Sequence, residues 1–396
     1  MIYVGIDVAS TKHDVCITSN DLEVYGKIFQ INNAESDYKK LLAKINEAKK
    51  FFKDSKVRIG IESTGVYSLT ILNFCSISDF EVIFINPILT NMFQLSTKVH
   101  YAKTDKIDAK GICRFLSRNQ DYYTYTPPSY HIIELKSLFR EYTKCNKFIN
   151  MIKNDLIGKV HKIFPEFLTL FPNLKGSLPM YLLEKYTLPS DYKGKHKDTL
   201  LTEIRNAARG HYEEDDVNYL LNIAATSIGS YSECDRVIIL QLIAQIEVFQ
   251  KAKKALASKM VELTKTLCPN LLSIPGVGAI TAAGIYGEIG NVDNFKNADS
   301  LLAYAGLNPI VYESGNYKAT QTKISKKGSS YLRNAIMTAA RIIRLHDETF
   351  NNYYNKKKEE GKSYNCIIGH ISKKLVRVIY HILKNNVSFK PQTISN

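Results

Sequence analysis

The chain has 396 residues, of which 45% are hydrophobic and 23% charged. A chain of this length and composition can bury the cores of two or three domains, which excludes a wholly disordered protein. Lysine and arginine number 53 and aspartate and glutamate 38, so the formal net charge is +15. This excess favours a polyanionic partner, either nucleic acid or an anionic membrane surface. The sequence contains no apolar run of about 18 residues, so we expect no helix that spans a bilayer.

The seven cysteines are scattered and include no CxxC pair. This pattern predicts reduced and mostly buried thiols and disfavours a disulfide framework or a zinc site. The N-terminal segment MIYVGIDVAS has an acidic residue at position 7 and no basic stretch, so we expect no signal peptide. Together these features predict a cytoplasmic protein.

The first domain is predicted to span residues 1–128, in which strand-like and helix-like segments alternate. Three apolar runs separated by turn residues predict a meander of three strands: YVGIDV, HDVCIT and VYGKIFQI. There follow a helix from Glu35 to Phe52, the strand VRIGIES, a helix from about Thr64, the strand FEVIFI and a helix from about Thr104. This order of elements is that of an RNase H-like fold with a sheet of mixed strand direction.

Four acidic residues of this domain are predicted to form a metal site. Asp7 lies within the first strand, and Glu62 ends the fourth strand, which neighbours the first in such a sheet. Asp105 and Asp108 share one face of the last helix. Converging carboxylates repel one another unless cations bind, and oxygen ligands suit Mg²⁺ or Mn²⁺. We expect two such ions roughly 4 Å apart, an arrangement that stabilises the attacking and leaving oxygens at a phosphodiester.

Two alternatives apply to these residues. A structural role explains each acid alone, for example Asp105 as a helix N-cap, and only the set of four favours metal binding. The segment GIDVAST is also compatible with the phosphate loop of actin-like and sugar-kinase ATPases. That loop needs glycine where its backbone approaches phosphate, and Val8, Ala9 and Ser10 follow Asp7 here, which disfavours it.

Residues 129–267 are predicted to form a coiled-coil region. Apolar residues from His131 to Phe164 recur at alternating steps of three and four, and a second run from 239 to 267 repeats the pattern. Such spacing is typical of a coiled-coil seam, and about 32 residues of helix extend roughly 48 Å. The proline-containing segment 165–235 is predicted to be an insertion at the far end of this helical hairpin. We favour a projecting or dimerising coiled coil, with a helical bundle inside one chain as the alternative.

The third domain is predicted to span residues 268–396 and to bind nucleic acid. Residues 311–390 contain sixteen Lys or Arg and five Asp or Glu, so they carry +11 of the net charge. A solvated surface is the structural alternative. Within this stretch we expect four basic residues to contact phosphates rather than bases: Lys323, Lys326, Lys327 and Arg333.

Two further motifs of the third domain have both a functional and a structural interpretation. LLSIPGVGAITAAGIYGEIG predicts a helix-hairpin-helix whose turn at Gly276 and Gly278 presents backbone N–H groups to a DNA phosphate. The alternative is a glycine-rich turn that only packs two helices. Ser314 precedes Gly315 in a polar stretch, and on its residues alone it is an ordinary loop serine, although nearby cations would stabilise an oxyanion or phosphate.

The motifs at both ends of the chain also carry a family resemblance. They are GIDVASTKHDVCI, IGIESTGVY, KTDKIDAKGI, SIPGVGAITAAGI, FKNADSLLAYAGLNP, ESG and ISKKGSSYLR. These motifs resemble those of the IS110 family of insertion-sequence transposases, including its IS1111 branch. The resemblance implies a RuvC-like N-terminal domain, a coiled coil and a C-terminal transposase domain. Position by position, the DEDD tetrad of the family falls on Asp7, Glu62, Asp105 and Asp108, and its nucleophilic serine falls on Ser314.

The resemblance implies a transposase, a site-specific DNA recombinase that excises and inserts its own insertion sequence. It also implies guidance by a structured bridge RNA and a covalent serine–DNA intermediate. The expected partners are the DNA of the element ends and target, the guide RNA, and further copies of the chain. These copies would form a homodimer through the coiled coil and a tetramer on DNA, in the cytoplasm and associated with the nucleoid. The long segment 165–235 departs from the family pattern.

Two functions of other classes remain open from the sequence. A Holliday-junction resolvase-like nuclease would use the same carboxylates to activate water and would form no covalent intermediate. A non-catalytic scaffold that binds DNA or RNA would keep the basic surface and tolerate loss of the acids. In the recombinase, the histidine nearest to Ser314 in sequence is His346, so we expect metal held by the carboxylates, of the same or another subunit, to activate the serine.

Overall fold

The chain folds into two compact units. The first comprises Met1–Ser129 and Gly290–Leu301, and the second comprises Tyr130–Ile289 and Leu302–Asn396. In this computed structural model, the described residues are 1–62, 67–78, 80–85, 90, 93, 105–119, 130–207, 212–309, 313–314, 317–318 and 324–391. None of the helices in these ranges is long and apolar enough to cross a membrane.

A five-stranded mixed sheet forms the centre of the first unit. Its strands are β1 (Ile2–Val8), β2 (Lys12–Thr18), β3 (Phe29–Asn32), β4 (Val57–Glu62) and β5 (Glu81–Ile85), in the order β3-β2-β1-β4-β5. The pairs β1–β2 and β2–β3 are antiparallel, and β4 is parallel to both β1 and β5. The accompanying helices are α1 (Glu35–Phe52), α2 (Ser68–Ile77) and α3 (Asp105–Arg118).

Helices cover both faces of this sheet, which is why its central strands are apolar at nearly every position. Val4 and Ile6 of β1 belong to the core formed with α1 and α2. Tyr3 belongs to the opposite core, formed with Ala109 and Ile112 of α3. The strand order and this three-layer arrangement fit the predicted RNase H-like domain.

The third strand is shorter than the run VYGKIFQI predicted. Only Phe29–Asn32 pairs with β2 as a strand, and Val24 makes an isolated bridge to Thr18. Gly26 has a φ of 62°, a left-handed conformation that interrupts an extended chain. The helix predicted from about Thr64 is described from Ser68, because residues 63–66 lie outside the described ranges.

The cysteines are free thiols, and five of the seven are buried. Burial raises the pKa of Cys75 and of Cys268 to about 12, so both thiols stay protonated at neutral pH. The prediction of mostly buried cysteines is confirmed.

Two long helices dominate the second unit and pair antiparallel within one chain. They are α4 (Tyr130–Ile163) and α9 (Glu233–Leu267). Near their middle, the rings of Phe148 and Phe249 lie 5.1 Å apart, and at one end Lys162 Nζ lies 2.7 Å from Asp235 Oδ1. This pairing fits the predicted helical hairpin, and pairing between two chains stays a prediction.

The heptad positions predicted for α9 are met only in part. Ile239, Ile246 and Met260 are buried as predicted, whereas Ile243 and Thr264 are also buried, outside the heptad positions. An unbent helix turns every ~3.6 residues, so its buried stripe drifts away from strict heptad positions over several turns.

The predicted insertion is helical. Its described helices are α5 (Phe167–Leu170), α6 (Leu178–Lys185), α7 (Lys197–Ala207) and α8 (Glu214–Ala225). Phe164 and Phe167 are fully buried in a core that the insertion shares with Leu156 of α4 and Ile239 of α9. The insertion therefore stabilises one end of the long helix pair.

The remaining elements follow in chain order. They are α10 (Pro269–Leu272), α11 (Ala279–Ile289), α12 (Ala298–Tyr304), β6 (Glu313–Ser314), β7 (Tyr317–Lys318), α13 (Ser330–His346), α14 (Glu348–Glu359) and α15 (Tyr364–Asn385). Helix α13 packs against α11, α14 and α15, and it buries Ile336, Ala340 and Ile343.

Candidate active site and nucleic-acid interface

Asp7 and Glu62 occupy equivalent positions on two neighbouring strands. In the parallel pair of β1 and β4, Ile6 lies opposite Ile61, so one step further along the register brings Asp7 beside Glu62. Both residues are half-buried at the carboxyl ends of their strands. The sequence-based prediction that these two carboxylates approach each other is therefore consistent with the strand register.

Helix α3 lies on the face of the sheet that carries both carboxylates. A Cβ placed at Gly5 would lie 2.2 Å from the carbonyl oxygen of Ala109, and one placed at Gly60 would lie 2.6 Å from Cγ2 of Ile112. Only glycine permits this close approach of helix and sheet. Alternate strand residues share a face, so Asp7 faces the same side as Gly5, and Glu62 the same side as Gly60.

Asp108 lies on α3 directly before Ala109, the residue that contacts Gly5. It is half-buried, and it joins Asp7 and Glu62 at this face of the sheet. Asp105 begins α3 one turn earlier, and its side chain lies outside the described residues. The structure thus brings the segments of all four predicted acids to one region and describes three of the side chains.

Two residues that the sequence analysis did not single out accompany this acidic set. The hydroxyl of the buried Thr90 donates a hydrogen bond to Oε1 of Glu62, which fixes the orientation of that carboxylate. Asp14 of β2 lies directly opposite Asp7 in the antiparallel pair. The signal for Asp14 was present, because it interrupts the apolar run HDVCIT as Asp7 interrupts YVGIDV.

The chemistry of the donor set suits a hard divalent cation. Asp7, Glu62 and Asp108 offer oxygen donors only, which fits Mg²⁺ or Mn²⁺ and not zinc. Among the side chains that the structure describes, no group of three or more His, Cys, Asp or Glu is close enough together to hold a metal ion. A complete site therefore requires Asp105 or a closer approach of the three described carboxylates.

Ser314 lies in a small β-hairpin of the second unit. Strand β6 pairs antiparallel with β7, with Ser314 opposite Tyr317. At the base of the hairpin Pro309 bridges to Ile324, and the amide of Ser325 donates to Asn308 O at 2.8 Å. The side chain of Ser314 lies outside the described residues, as does the whole of Lys323. The polar stretch around Ser314 therefore includes a pair of short strands.

A basic loop, residues 324–329, follows the hairpin, and backbone hydrogen bonds hold it in place. Lys326 has a φ of 53°, and the amide of Lys326 donates to Gly306 O at 3.0 Å. Arg333 Nη1 donates to Ala305 O at 3.0 Å, so part of this guanidinium holds the loop. The side chains of Lys326 and Lys327 are exposed, as phosphate contacts require.

A buried ion pair supports the residues that follow this loop. Glu288 of α11 is only 1% exposed, and it accepts hydrogen bonds from Arg140 Nε at 2.6 Å and Nη2 at 3.0 Å. Ser329 Oγ donates to the same carboxylate at 2.8 Å and accepts from the amide of Leu332, so it caps α13. The Arg140 guanidinium also lies 4.9 Å from the centroid of the Tyr331 ring. This junction joins α4, α11 and the start of α13.

The predicted helix-hairpin-helix is only partly recognisable. The turn at residues 273–278 separates α10, a single helical turn, from α11. Gly276 has a φ of 78°, and a Cβ there would lie 2.5 Å from Cγ2 of Ile342, so packing alone explains this glycine. A Cβ at Gly278 would meet no atom within 4 Å, so the backbone there is accessible to a ligand.

Further positive charge lies on the C-terminal side of the basic loop. Residues 356–390 contain nine Lys or Arg and two Asp or Glu. Lys374 Nζ of α15 lies 4.0 Å from the centroid of the Tyr353 ring of α14. Burial lowers the pKa of His370, and the positive charges of Lys373, Lys357 and Lys362 lower it further. Cations of α14, α15 and the loop between them therefore converge on one surface, which we term the α14–α15 basic surface (residues 353–374).

Known family models match both the N-terminal and the C-terminal part of the chain. Residues 4–165 match a family model for a DEDD transposase of the IS110 type, and residues 268–355 match the model of the transposase IS116/IS110/IS902 family. Together the two models match more than half of the chain. The chain belongs to this transposase family. The α14–α15 basic surface lies mostly outside the matched residues.

Two of the relatives match over about half of the chain or less. An uncharacterized 43.6 kDa protein of insertion element IS110 from Streptomyces coelicolor is 23% identical over 56% of this chain and 55% of its own length. The transposase for insertion sequence element IS1111A from Coxiella burnetii is 31% identical over 40% of this chain and 42% of its own length. The chain thus spans about half the length of these curated relatives.

The fold comparison finds a solved structure of Thermus thermophilus RuvC in complex with a Holliday junction substrate. It is 14% identical and covers 28% of this chain and 90% of RuvC, with a TM-score of 0.22. A TM-score of this size does not establish a shared fold, so the RNase H-like description rests on the strand order and layers described above.

Proposed function

We propose that this protein is a DNA transposase that excises and inserts its own insertion element. The observation that carries the proposal is the placement of Asp7 and Glu62 on adjacent strand ends, on the sheet face covered by α3 with its Asp108, in a chain of a transposase family. Paired strand-end acids beneath a helix that supplies further acids suit metal-assisted cleavage of a phosphodiester.

The four acids of the first domain would hold the metal, most simply two Mg²⁺ or Mn²⁺ ions. When bound, these ions would stabilise the charge on the attacking and leaving oxygens of the phosphodiester. The chain itself provides the negative charge of Asp7, Glu62, Asp105 and Asp108. Thr90 holds Glu62 in one orientation through its hydrogen bond.

Ser314 would be the nucleophile of a covalent intermediate. Its Oγ would form a bond to phosphorus while the bond to one deoxyribose oxygen breaks, and the serine proton would pass to that leaving oxygen. The reaction exchanges one phosphodiester for another, so it needs no external energy source. The hairpin supports this role because Ser314 lies on strand β6, and the chain leads from the hairpin into the basic loop.

The nucleic-acid partners would be the DNA of the element ends and target, together with a structured bridge RNA. Exposed Lys326 and Lys327 and the α14–α15 basic surface supply the charge for phosphate backbones. We further propose a homodimer through α4 and α9, a tetramer on DNA, and association with the nucleoid in the cytoplasm.

A recombination assay with purified protein, element DNA and the flanking non-coding RNA tests the proposal. Wild-type protein should give recombined product and a covalent protein–DNA adduct that resists denaturation, and Ser314→Ala should give neither. DNA cleavage without an adduct would indicate the resolvase-like nuclease instead. Unchanged recombination by Asp7→Ala would contradict catalysis by the acids and favour the scaffold.

A further inference from the structure

A fifth carboxylate faces the candidate metal site from the neighbouring strand. In the antiparallel pair of β1 and β2, Gly5 lies opposite Cys16 and Asp7 lies opposite Asp14. The side chain of Cys16 belongs to the core formed with α3. Because Asp14 lies two residues before Cys16 on the same strand, its side chain faces α3 as well. Asp7 therefore stands between Glu62 on one side and Asp14 on the other.

The side chains of Asp7 and Asp14 begin close together, because the two residues lie directly opposite each other. Directly opposite residues of antiparallel strands have Cβ atoms about 4.5–5.5 Å apart, and like charges at that separation are destabilising. Nothing in the strand register requires an acid at this position, since a threonine or valine would suit a buried strand better. A cation bound beside both residues would offset the repulsion between Asp7 and Asp14.

Asp14 is also buried without a cationic partner among the described residues. It is 4% exposed, and its hydrogen bonds come from the side-chain amide of Gln30, 3.3 Å from each carboxylate oxygen. A neutral amide orients a carboxylate but does not neutralise it, and an uncompensated buried charge destabilises a fold. Asp37 of the same unit is also mostly buried, but its negative charge is paired with Lys40, whose Nζ lies 2.8 Å from Oδ1 of Asp37.

We propose that Asp14 is a further acidic residue of the metal site, held by Gln30 beside Asp7, and that its negative charge strengthens cation binding without ligating the metal. Gln30 keeps the carboxylate in place, and Asp7 lies between Asp14 and Glu62 across the sheet. The inference rests on the proposed function, since that function supplies the cation. Asp14 acts through its charge, so an uncharged side chain of the same shape removes its effect.

The test measures Mn²⁺ binding to the full-length protein by isothermal titration calorimetry, together with thermal unfolding with and without Mn²⁺. Asp14→Asn keeps an acceptor for Gln30 and removes only the charge, so it should weaken Mn²⁺ binding by roughly tenfold or more, as expected for a lost charge near a divalent ion. Without Mn²⁺ the same variant should unfold at the wild-type temperature or above it, because repulsion from Asp7 is relieved.

Asp37→Asn is the matched control, since it removes a mostly buried carboxylate of the same unit that is already paired with lysine. It should lower the unfolding temperature and leave Mn²⁺ affinity unchanged. If Asp14→Asn does not fold, Asp14→Thr provides a second neutral residue suited to a strand. Wild-type Mn²⁺ affinity in a folded Asp14 variant would overturn the inference while leaving the metal site intact. If the wild-type protein binds no Mn²⁺, the proposed metal site fails, and the role of Asp14 fails with it.

Discussion

Loss of Arg140 should show how strongly the buried ion pair supports the second unit. Arg140→Met removes the only guanidinium that contacts Glu288 in the described part of the chain, and it keeps much of the apolar length of the side chain. The carboxylate of Glu288 is fully buried, whereas the Arg140 side chain is 39% exposed. The variant therefore leaves a buried negative charge whose remaining donor is Ser329.

The expected destabilisation follows from these exposures. Removing one partner of a buried ion pair costs about 3–5 kcal/mol. Lys136 also lies near Glu288, and burial lowers the pKa of this lysine while Glu288 raises it. Because Lys136 compensates part of the charge and Arg140 is partly exposed, we expect about 2–3 kcal/mol. For a unit of this size that corresponds to a fall of roughly 4–12 °C in Tm.

A double-mutant cycle with Glu288→Leu separates the ion pair from packing. Differential scanning calorimetry would compare both single variants with Arg140→Met/Glu288→Leu, and we expect the double variant to be about 1.5–3 kcal/mol more stable than the sum of the single losses predicts. The exposed pair Lys39–Glu35, 2.7 Å apart, is the control and should show less than about 1 kcal/mol of coupling. Additive losses at Arg140 and Glu288 would refute the reasoning.

Much of the first domain could be predicted because its signals are local. The helix Glu35–Phe52 is observed with its predicted bounds, since its apolar residues repeat with helical spacing. Asp7 and Glu62 could be predicted as neighbours because the order of strands and helices already specifies which strands adjoin. The turn at Gly26 was the exception, and it shortened the third strand.

The contacts that could not be predicted depend on register or on distant residues. Asp14 faces Asp7 only because of the register between β1 and β2, which the turn between them sets and the apolar pattern does not. Arg140 lies 148 residues before Glu288, so no local pattern links them. The motif at Gly276 favoured phosphate binding, with helix packing as the alternative, and Ile342 of α13, far along the chain, explains why a side chain is excluded there.

The remaining predictions concern nucleic-acid binding, pH and the sharing of active sites. Replacing Lys326 and Lys327 by alanine should reduce the slope of log affinity for DNA or RNA against log salt concentration by about two, because each lysine that neutralises a phosphate adds about one to the slope. Fluorescence anisotropy at several salt concentrations measures this slope. An unchanged slope would mean that neither lysine contacts a phosphate. Lys40 and then Asn32 lower the pKa of Asp37 to about 2 from an ordinary value of 3.8. The stability that this carboxylate contributes is therefore full above pH 3.8 and is lost as the pH falls through about 2. The Tm difference between wild type and Asp37→Asn should accordingly vanish near that pH, and a difference that persists there would contradict the pairing. The last prediction concerns the serine. A serine hydroxyl is a weak nucleophile at neutral pH, so in the proposed reaction Ser314 would need activation by metal that the carboxylates hold. If the serine of one subunit serves the acids of another, then a mixture of Ser314→Ala and Asp108→Ala proteins contains some sites with every group intact. Such a mixture should recover recombination that neither variant has alone, and mixing before addition of DNA should give more product than mixing after stable complexes have formed. No recovery under either order, with both variants folded and bound to DNA, would mean that each active site takes its serine and its acids from the same subunit.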